Sequence, residues 1–365
     1  MSTTLTLEGW RAFHLFYHAD LKRAVLGFVR PVVRSLWTAG GVDSFFFIRY
    51  ALGGPHIRLR LHVRPGCAAA VDEKIEATAS SFLARWPSNE SRDEETIRRI
   101  NRTILANDPH EHEDLIYPDN HLIAAPFRPE IERYGGPALL PHSLDYFAVS
   151  SVKALRYCAR QDEETRARQL SSALRILARQ LWSFATGEEE VFAVLAAFIS
   201  SRKLAPILPH GDRAYEERRD DFRSLLASEL EMLSTPQSMP ALDNAASRQL
   251  SWEARGEVAE TRCRIGASQL HMTANRTGVT NAEEVYLGRI LERAAKDLAV
   301  IEPVRWRAVW DGLLQCHNPA ESHLDRLRSQ ILTDYFMSEE SLIVSDETKI
   351  PTDSIKLAQP NQSPS

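Results

Sequence analysis

His56-Ile57-Arg58-Leu59-Arg60-Leu61-His62-Val63 decides the fold, because these eight residues alternate strictly between apolar and cationic or titratable side chains. In an extended chain Ile57, Leu59, Leu61 and Val63 project to one face, and His56, Arg58, Arg60 and His62 to the other. Just upstream, Asp43 to Ala51 reads DSFFFIRYA, dense in residues that suit a pleated, half-buried surface. Leu52-Gly53-Gly54-Pro55 between them has the residues of a tight reversal, so the two runs are expected to pair as a β-hairpin. Trp10 to Phe16 is short and aromatic and reads as a further strand.

Away from this region the period changes to that of helices. Leu21 to Thr38 carries Val25, Phe28, Val29, Val32, Val33 and Leu36 on one stripe, with Pro31 placed to kink it. Val71 to Trp86 and Asp93 to Leu105 repeat the pattern. Asp162 to Thr186 has the clearest seam, through Leu170, Leu174, Leu177, Leu181 and Phe184, with Gly187 as its stop. Glu188 to Ser200, Arg213 to Leu233 and Ala282 to Leu298 complete the set. The last is opened by Thr280-x-x-Glu283, the spacing of a capping box. The expected class is α+β, mostly helical with a small antiparallel sheet near the N-terminus. Loops are expected at Pro87 to Glu94 and Ser234 to Ser247, and one domain over 1–343 is followed by a tail, 344–365, expected to be disordered.

The chain has 365 residues, 44% hydrophobic and 25% charged, with a formal net charge of −5. That composition belongs to a folded globular protein, and the charge gives no global attraction to nucleic acid or acidic lipid. The opening Met-Ser-Thr-Thr-Leu-Thr-Leu-Glu lacks the basic patch and apolar run of a secretory signal, and no apolar stretch is long enough to span a bilayer. A cytoplasmic location is the expectation. Cys67, Cys158, Cys263 and Cys316 form no C-x-x-C pair and read as scattered thiols, including Cys316 beside His317.

Four constellations carry potential chemistry. Arg58 and Arg60 lie roughly 6 to 7 Å apart along a strand, close enough to converge on one dianion or on neighbouring carboxylates, and a solvated sheet face is the bland alternative. Pro129-Glu130-Ile131-Glu132-Arg133-Tyr134-Gly135-Gly136 places Glu130 and Arg133 three apart, as a functional pair or a plain salt bridge before a helix stop. Leu270-His271-Met272-Thr273-Ala274-Asn275-Arg276 stacks His271 on Asn275 at helical spacing with Arg276 adjacent; a hydrogen-bonded structural histidine is the competing reading. His110-Glu111-His112-Glu113-Asp114 concentrates metal-ligand types but lacks an i, i+4 histidine pair, so no metal is assigned. G-x-G-x-x-G, Walker A and G-x-S-x-G patterns are missing, and no cofactor is expected.

Taken in order, FFFIRY, Gly54-Pro55-His56-Ile57-Arg58-Leu59-Arg60, PEIERYGG and HMTANR resemble the lantibiotic dehydratase C-terminal domain family, also called the thiopeptide-type bacteriocin biosynthesis domain. The resemblance spans about Trp10 to Leu332. It implies a lyase that eliminates glutamate from glutamylated Ser or Thr of a ribosomal precursor peptide, leaving dehydroalanine or dehydrobutyrine. It also implies a split system in which a separate tRNA-dependent enzyme glutamylates the same peptide first, with no direct nucleic-acid contact by this chain. The family's Arg-x-Arg pair, E-x-x-R pair and late histidine carry over onto Arg58, Arg60, Glu130, Arg133 and His271, the last as base or acid. Arg49, His56, Tyr134, Asn275 and Arg276 are expected to bind substrate. Two departures stand out: Ser150 in Val149-Ser150-Ser151 occupies the place of an acid common in relatives, and Phe127 stands where tyrosine is common. The resemblance leaves two alternatives: a pyridine synthase performing a formal [4+2] cycloaddition and macrocyclisation of a dehydrated thiopeptide precursor, and a non-catalytic partner that binds the precursor peptide.

Overall fold

The computed structural model describes residues 7–90, 92–106, 115–160, 165–234 and 244–301, with 303 and 306. The His110 to Asp114 cluster, Cys316 with His317, the tail 344–365 and most of the Ser234 to Ser247 loop lie outside these residues. The described residues fall into two compact units: 7–159 with Asn275–Gly278, and 160–274 with 279–301, 303 and 306. The α+β expectation holds, since helices predominate and the strands form one antiparallel sheet near the N-terminus.

In the first unit β1 (Trp10–Phe16), β2 (Val42–Tyr50), β3 (His56–Val63) and β4 (His121–Ala125) lie in the order β2-β3-β1-β4, each pair antiparallel. The expected hairpin is present, and its reversal is closed by Gly54 N–H to Ala51 O at 3.1 Å. Gly53 and Gly54 sit at φ 81° and 120°, where a side chain is strained, and a Cβ on Gly54 would meet His18 Nε2 at 2.6 Å. Asn101, buried on α4 (Glu94–Leu105), accepts from Gly53 N–H at 2.8 Å and so fixes the reversal from a distance. β4 was not evident in the sequence, because its five residues are too few and too exposed to show a pattern.

Register puts Phe13, Leu15, Phe45, Phe47, Ile57, Leu59 and Leu61 on one sheet face, and all are at most 3% exposed. Burying each such side chain contributes roughly 1.5–3 kcal/mol, which is why strict alternation specifies the register. Arg11 on that same face pairs with Asp72 of α3 (Ala68–Arg85). The segment predicted as one kinked helix is α1 (Leu21–Ala24), a π-helical turn (Val25–Val29) and α2 (Arg30–Thr38). Pro31 falls in the first turn of α2, where its missing N–H is not needed, and Arg30 N–H reaches back to Val25 O. α5 (Gly136–Arg160) begins at the second residue of the double glycine and is buried along most of its length.

The second unit is helical: α6 (Arg166–Phe184), α7 (Glu188–Ser200), α8 (Leu208–Glu217), α9 (Arg219–Ser234), α10 (Ala245–Glu253), α11 (Ala259–Thr277) and α12 (Asn281–Ile301). The last turn of α11 is counted with the first unit. The leucine seam of α6 is buried as expected. Glu229 of α9, fully buried, is held by Arg175 at 2.7 Å and by Arg179. Thr280 and Glu283 make the reciprocal capping bonds at 3.3 and 2.8 Å. The single helix predicted over Arg213 to Leu233 is instead two, broken at Arg218, whose φ of −137° and ψ of 34° leave the helical region. Arg218 bonds Asp221 through Nε and Nη2 at 2.9 and 2.8 Å, a local bond that apolar spacing could not reveal.

Gly27 in the π-helical turn allows α3 to approach closely: a Cβ there would lie 2.6 Å from the buried Phe82 ring. Gly27→Ala is expected to destabilise the protein by roughly 1–3 kcal/mol, and Phe82→Leu in the same chain should recover part of the loss. Urea unfolding of the two single variants and the double variant measures both.

Candidate functional site

The face of the sheet opposite the apolar one carries a cationic cluster. β3 contributes His56, Arg58 and Arg60, and β1 contributes His14, which stands in register with Arg58. His56 is fully buried; its Nδ1–H donates to Gly54 O at 2.8 Å, and its Nε2 accepts from Arg58 Nε at 3.0 Å. Burial first, then the Arg58 charge, holds this imidazole well below its ordinary pKa, so it is neutral. His14 stacks on it with centroids 5.2 Å apart and is likewise pushed far down, by burial and then by His56, Arg60 and Arg58. Arg58 lies 3.8 Å over the Tyr50 ring and Arg60 lies 5.6 Å from that of Phe46.

His62 departs from this group. Its Nδ1 is 2.5 Å from Asp43 Oδ1 and its ring lies on Trp10, so the run of basic groups on β3 does meet an acid, supplied by the neighbouring strand. Phe127 packs beside Trp10 and Phe46 at 5.1 and 6.0 Å, at the edge of the same face.

Glu130 and Arg133 pair at 2.8 Å across one turn and are each about a quarter exposed. The turn is a short 3₁₀ segment, Glu132–Tyr134, ended by Gly135 in the left-handed region at φ 88°. Tyr134, buried against Phe147, has its hydroxyl pushed up to about 12, chiefly by burial, and feels the charges of Arg133, Arg276 and Arg60. Arg60, Arg133 and Arg276, far apart in sequence, therefore all act on Tyr134.

Asn275 and Arg276 are spent on the outer edge of β2. Asn275 accepts from Arg49 N–H and donates to Arg49 O, both at 2.8 Å, in place of a neighbouring strand. Arg276, fully buried, donates through Nε to Phe47 O and through Nη1 to Ser150 Oγ, both at 2.8 Å, and lies 4.8 Å over the Phe147 ring. Burial lowers its pKa to about 10. Ser151 accepts from Phe47 N–H at 3.3 Å, and the Arg49 guanidinium packs on Gly278, whose φ of +80° suits only glycine.

His271 belongs to the second unit. Its Nδ1 lies 2.9 and 3.1 Å from the two oxygens of Glu284, a carboxylate 1% exposed. Arg202, after α7, reaches Glu284 Oε2 with Nε at 3.3 Å and stands with Nη1 3.5 Å from His271 Nε2. Three members of these clusters were missed in the sequence. His14 was visible, since alternation along Trp10 to Phe16 gives it one definite face, whereas Glu284 and Arg202 are brought to His271 by tertiary structure alone. Among the described residues no group of His, Cys, Asp and Glu is arranged to hold a metal ion. No single described helix is long and apolar enough to cross a membrane.

His14 and His56 make stability depend on pH. The unfolded chain takes up their protons around the ordinary value of 6.5 while the folded chain does not, so stability is lost as pH falls below 6.5. Each contributes a slope of about 0.7 kcal/mol per pH unit at pH 6.5, rising towards about 1.4 near pH 5. His14→Gln should flatten the slope of unfolding free energy between pH 6.5 and 5 by that amount, as read from denaturant melts.

The solved structures similar to this chain share its fold. The pyridine synthase TbtD from thiomuracin biosynthesis matches with a TM-score of 0.64 at 19% identity, covering 80% of this chain and 100% of its own. TsrL matches with a TM-score of 0.54 at 16% identity, covering 85% of this chain and 99% of its own. The tRNA-dependent lantibiotic dehydratase MibB from Microbispora sp. 107891 matches with a TM-score of 0.52 at 20% identity over 83% of this chain, which spans only 29% of that protein. No curated protein matches the chain. The model of the family described as lantibiotic biosynthesis dehydratase C-term matches residues 10–295, across both units, and the chain belongs to that family.

Proposed function

We propose that this chain is a glutamate-eliminating lyase that acts on glutamylated Ser or Thr of a ribosomally made precursor peptide, after a separate tRNA-dependent enzyme has added the glutamate. The observation that carries the reading is the arginine pair of β3, Arg58 and Arg60, set on one sheet face beside two neutral histidines. Neutral imidazoles leave that face with the charge of its guanidinium groups, which suits a carboxylate.

The reaction divides between two kinds of group. His271 takes the proton from the peptide α-carbon; the freed pair forms the Cα=Cβ bond, the Cβ–O bond breaks, and glutamate departs as its carboxylate. Arg58 and Arg60 hold that carboxylate and stabilise charge developing on the neighbouring carbonyl. Arg133, oriented by Glu130, completes the binding of the adduct. Asn275, Arg276 and Arg49 keep the strand in place, so their contribution to substrate binding is through β2.

A second reading is favoured by the likeness to TbtD over that protein's whole length: a pyridine synthase acting on a peptide already dehydrated. Mass spectrometry separates the two. A glutamylated precursor peptide should lose its adduct together with water's equivalent on the Ser or Thr, and Arg58→Ala should slow this roughly 10²- to 10³-fold while peptide binding, followed by fluorescence anisotropy, changes little. Cyclisation with release of the leader from a dehydrated peptide, and no action on the glutamylated one, would move the assignment to the synthase. Binding of the peptide without either product would make the chain a non-catalytic partner.

A further inference from the structure

The neighbours of His271 determine how it can move a proton. Its Nδ1 is shared between both oxygens of Glu284 at 2.9 and 3.1 Å. A carboxylate paired with a guanidinium accepts hydrogen bonds, so the proton of the neutral ring sits on Nδ1 and the lone pair is on Nε2. Glu284 comes from the first turn of α12, next to the Thr280–Glu283 capping box that fixes where that helix begins. Its carboxylate is 1% exposed and cannot turn to solvent.

Arg202 faces the same ring from the other side. Its Nε is 3.3 Å from Glu284 Oε2, so it offsets part of the carboxylate charge. Its Nη1 stands 3.5 Å from Nε2, at the outer limit of a hydrogen bond. The carboxylate favours the imidazolium and the guanidinium opposes it. These opposed influences act on one ring with 14% side-chain exposure, where screening by water is reduced.

We infer that Glu284 and Arg202 are positioning residues that make His271 a general base at Nε2, Glu284 by fixing the tautomer and Arg202 by restraining its protonation. This rests on the reading above in which His271 moves the proton. In the forward step the α-proton goes to Nε2, the Nδ1 proton stays on the Glu284 hydrogen bond, and the resulting imidazolium is stabilised by that carboxylate.

The test is NMR of the full chain with ¹⁵N-labelled histidine, titrated from pH 5 to 9 and assigned through His271→Gln. The neutral ring of His271 should be the Nδ1–H tautomer. Its titration midpoint should move down by about one pH unit in Glu284→Gln and up in Arg202→Met, while Glu284→Asp should hold it near the unmodified position. The acidic limb of the pH dependence of kcat/KM for elimination should move in the same two directions, with kcat falling in Glu284→Gln and KM changing little. An Nε2–H tautomer, or a midpoint indifferent to both substitutions, would overturn the inference. If Glu284→Gln fails to fold, the Arg202→Met shift and the tautomer of the unmodified protein still decide it. The NMR result does not depend on turnover, so absence of elimination with the expected titration would count against the proposed reaction and for this arrangement of the histidine.

Discussion

Arg276 Nε reaching Phe47 O is the bond around which the first unit is arranged. β2 is an edge strand, and an edge strand leaves every second peptide group without a neighbour. At Phe47 and Arg49 those groups are satisfied by Arg276, Asn275 and Ser151. The guanidinium is fully buried, so its desolvation is offset by the carbonyl, by Ser150 and by the face of Phe147. With β2 fixed, β3 is fixed in register beside it, and with β3 the spacing of Arg58 and Arg60.

The opposite side of the sheet solves a different electrostatic problem. Four basic side chains crowded on adjacent strands would repel one another if all were charged. Burial keeps His14 and His56 neutral, and Arg58 uses the lone pair of His56 as an acceptor, so two guanidinium groups persist where four cations could not. The rings of Tyr50 and Phe46 lie beside Arg58 and Arg60 and add cation–π support.

Much of this was legible in the sequence wherever one local period decided the structure. The strands around His56 to Val63, the seam of α6 and the cap at Thr280 all follow from side chains a few residues apart. Glu130 with Arg133 belongs to the same class. What stayed hidden depends on contacts between distant segments. Nothing near Asn275 says that its amide will stand in for a strand, and the spacing from His271 to Glu284 has no helical or strand meaning. The π-helical turn at Val25–Val29 escaped for a related reason, because the stripe of Leu21 to Thr38 is compatible with one continuous helix, and only the position of Pro31 hints at a displaced hydrogen bond. The break at Arg218, where the backbone leaves the helical region, interrupts no apolar period.

The Asn275 clasp also bears on the order of events during synthesis. Asn275 and Arg49 are 226 residues apart in the chain, yet they exchange two bonds. A nascent chain can therefore pair β2 with β3 early, but the polar groups on the far side of β2 must wait until α11 has left the ribosome. Until then the unfinished protein offers that stretch of backbone to any other strand it meets, and a truncated copy ending before Asn275 keeps offering it.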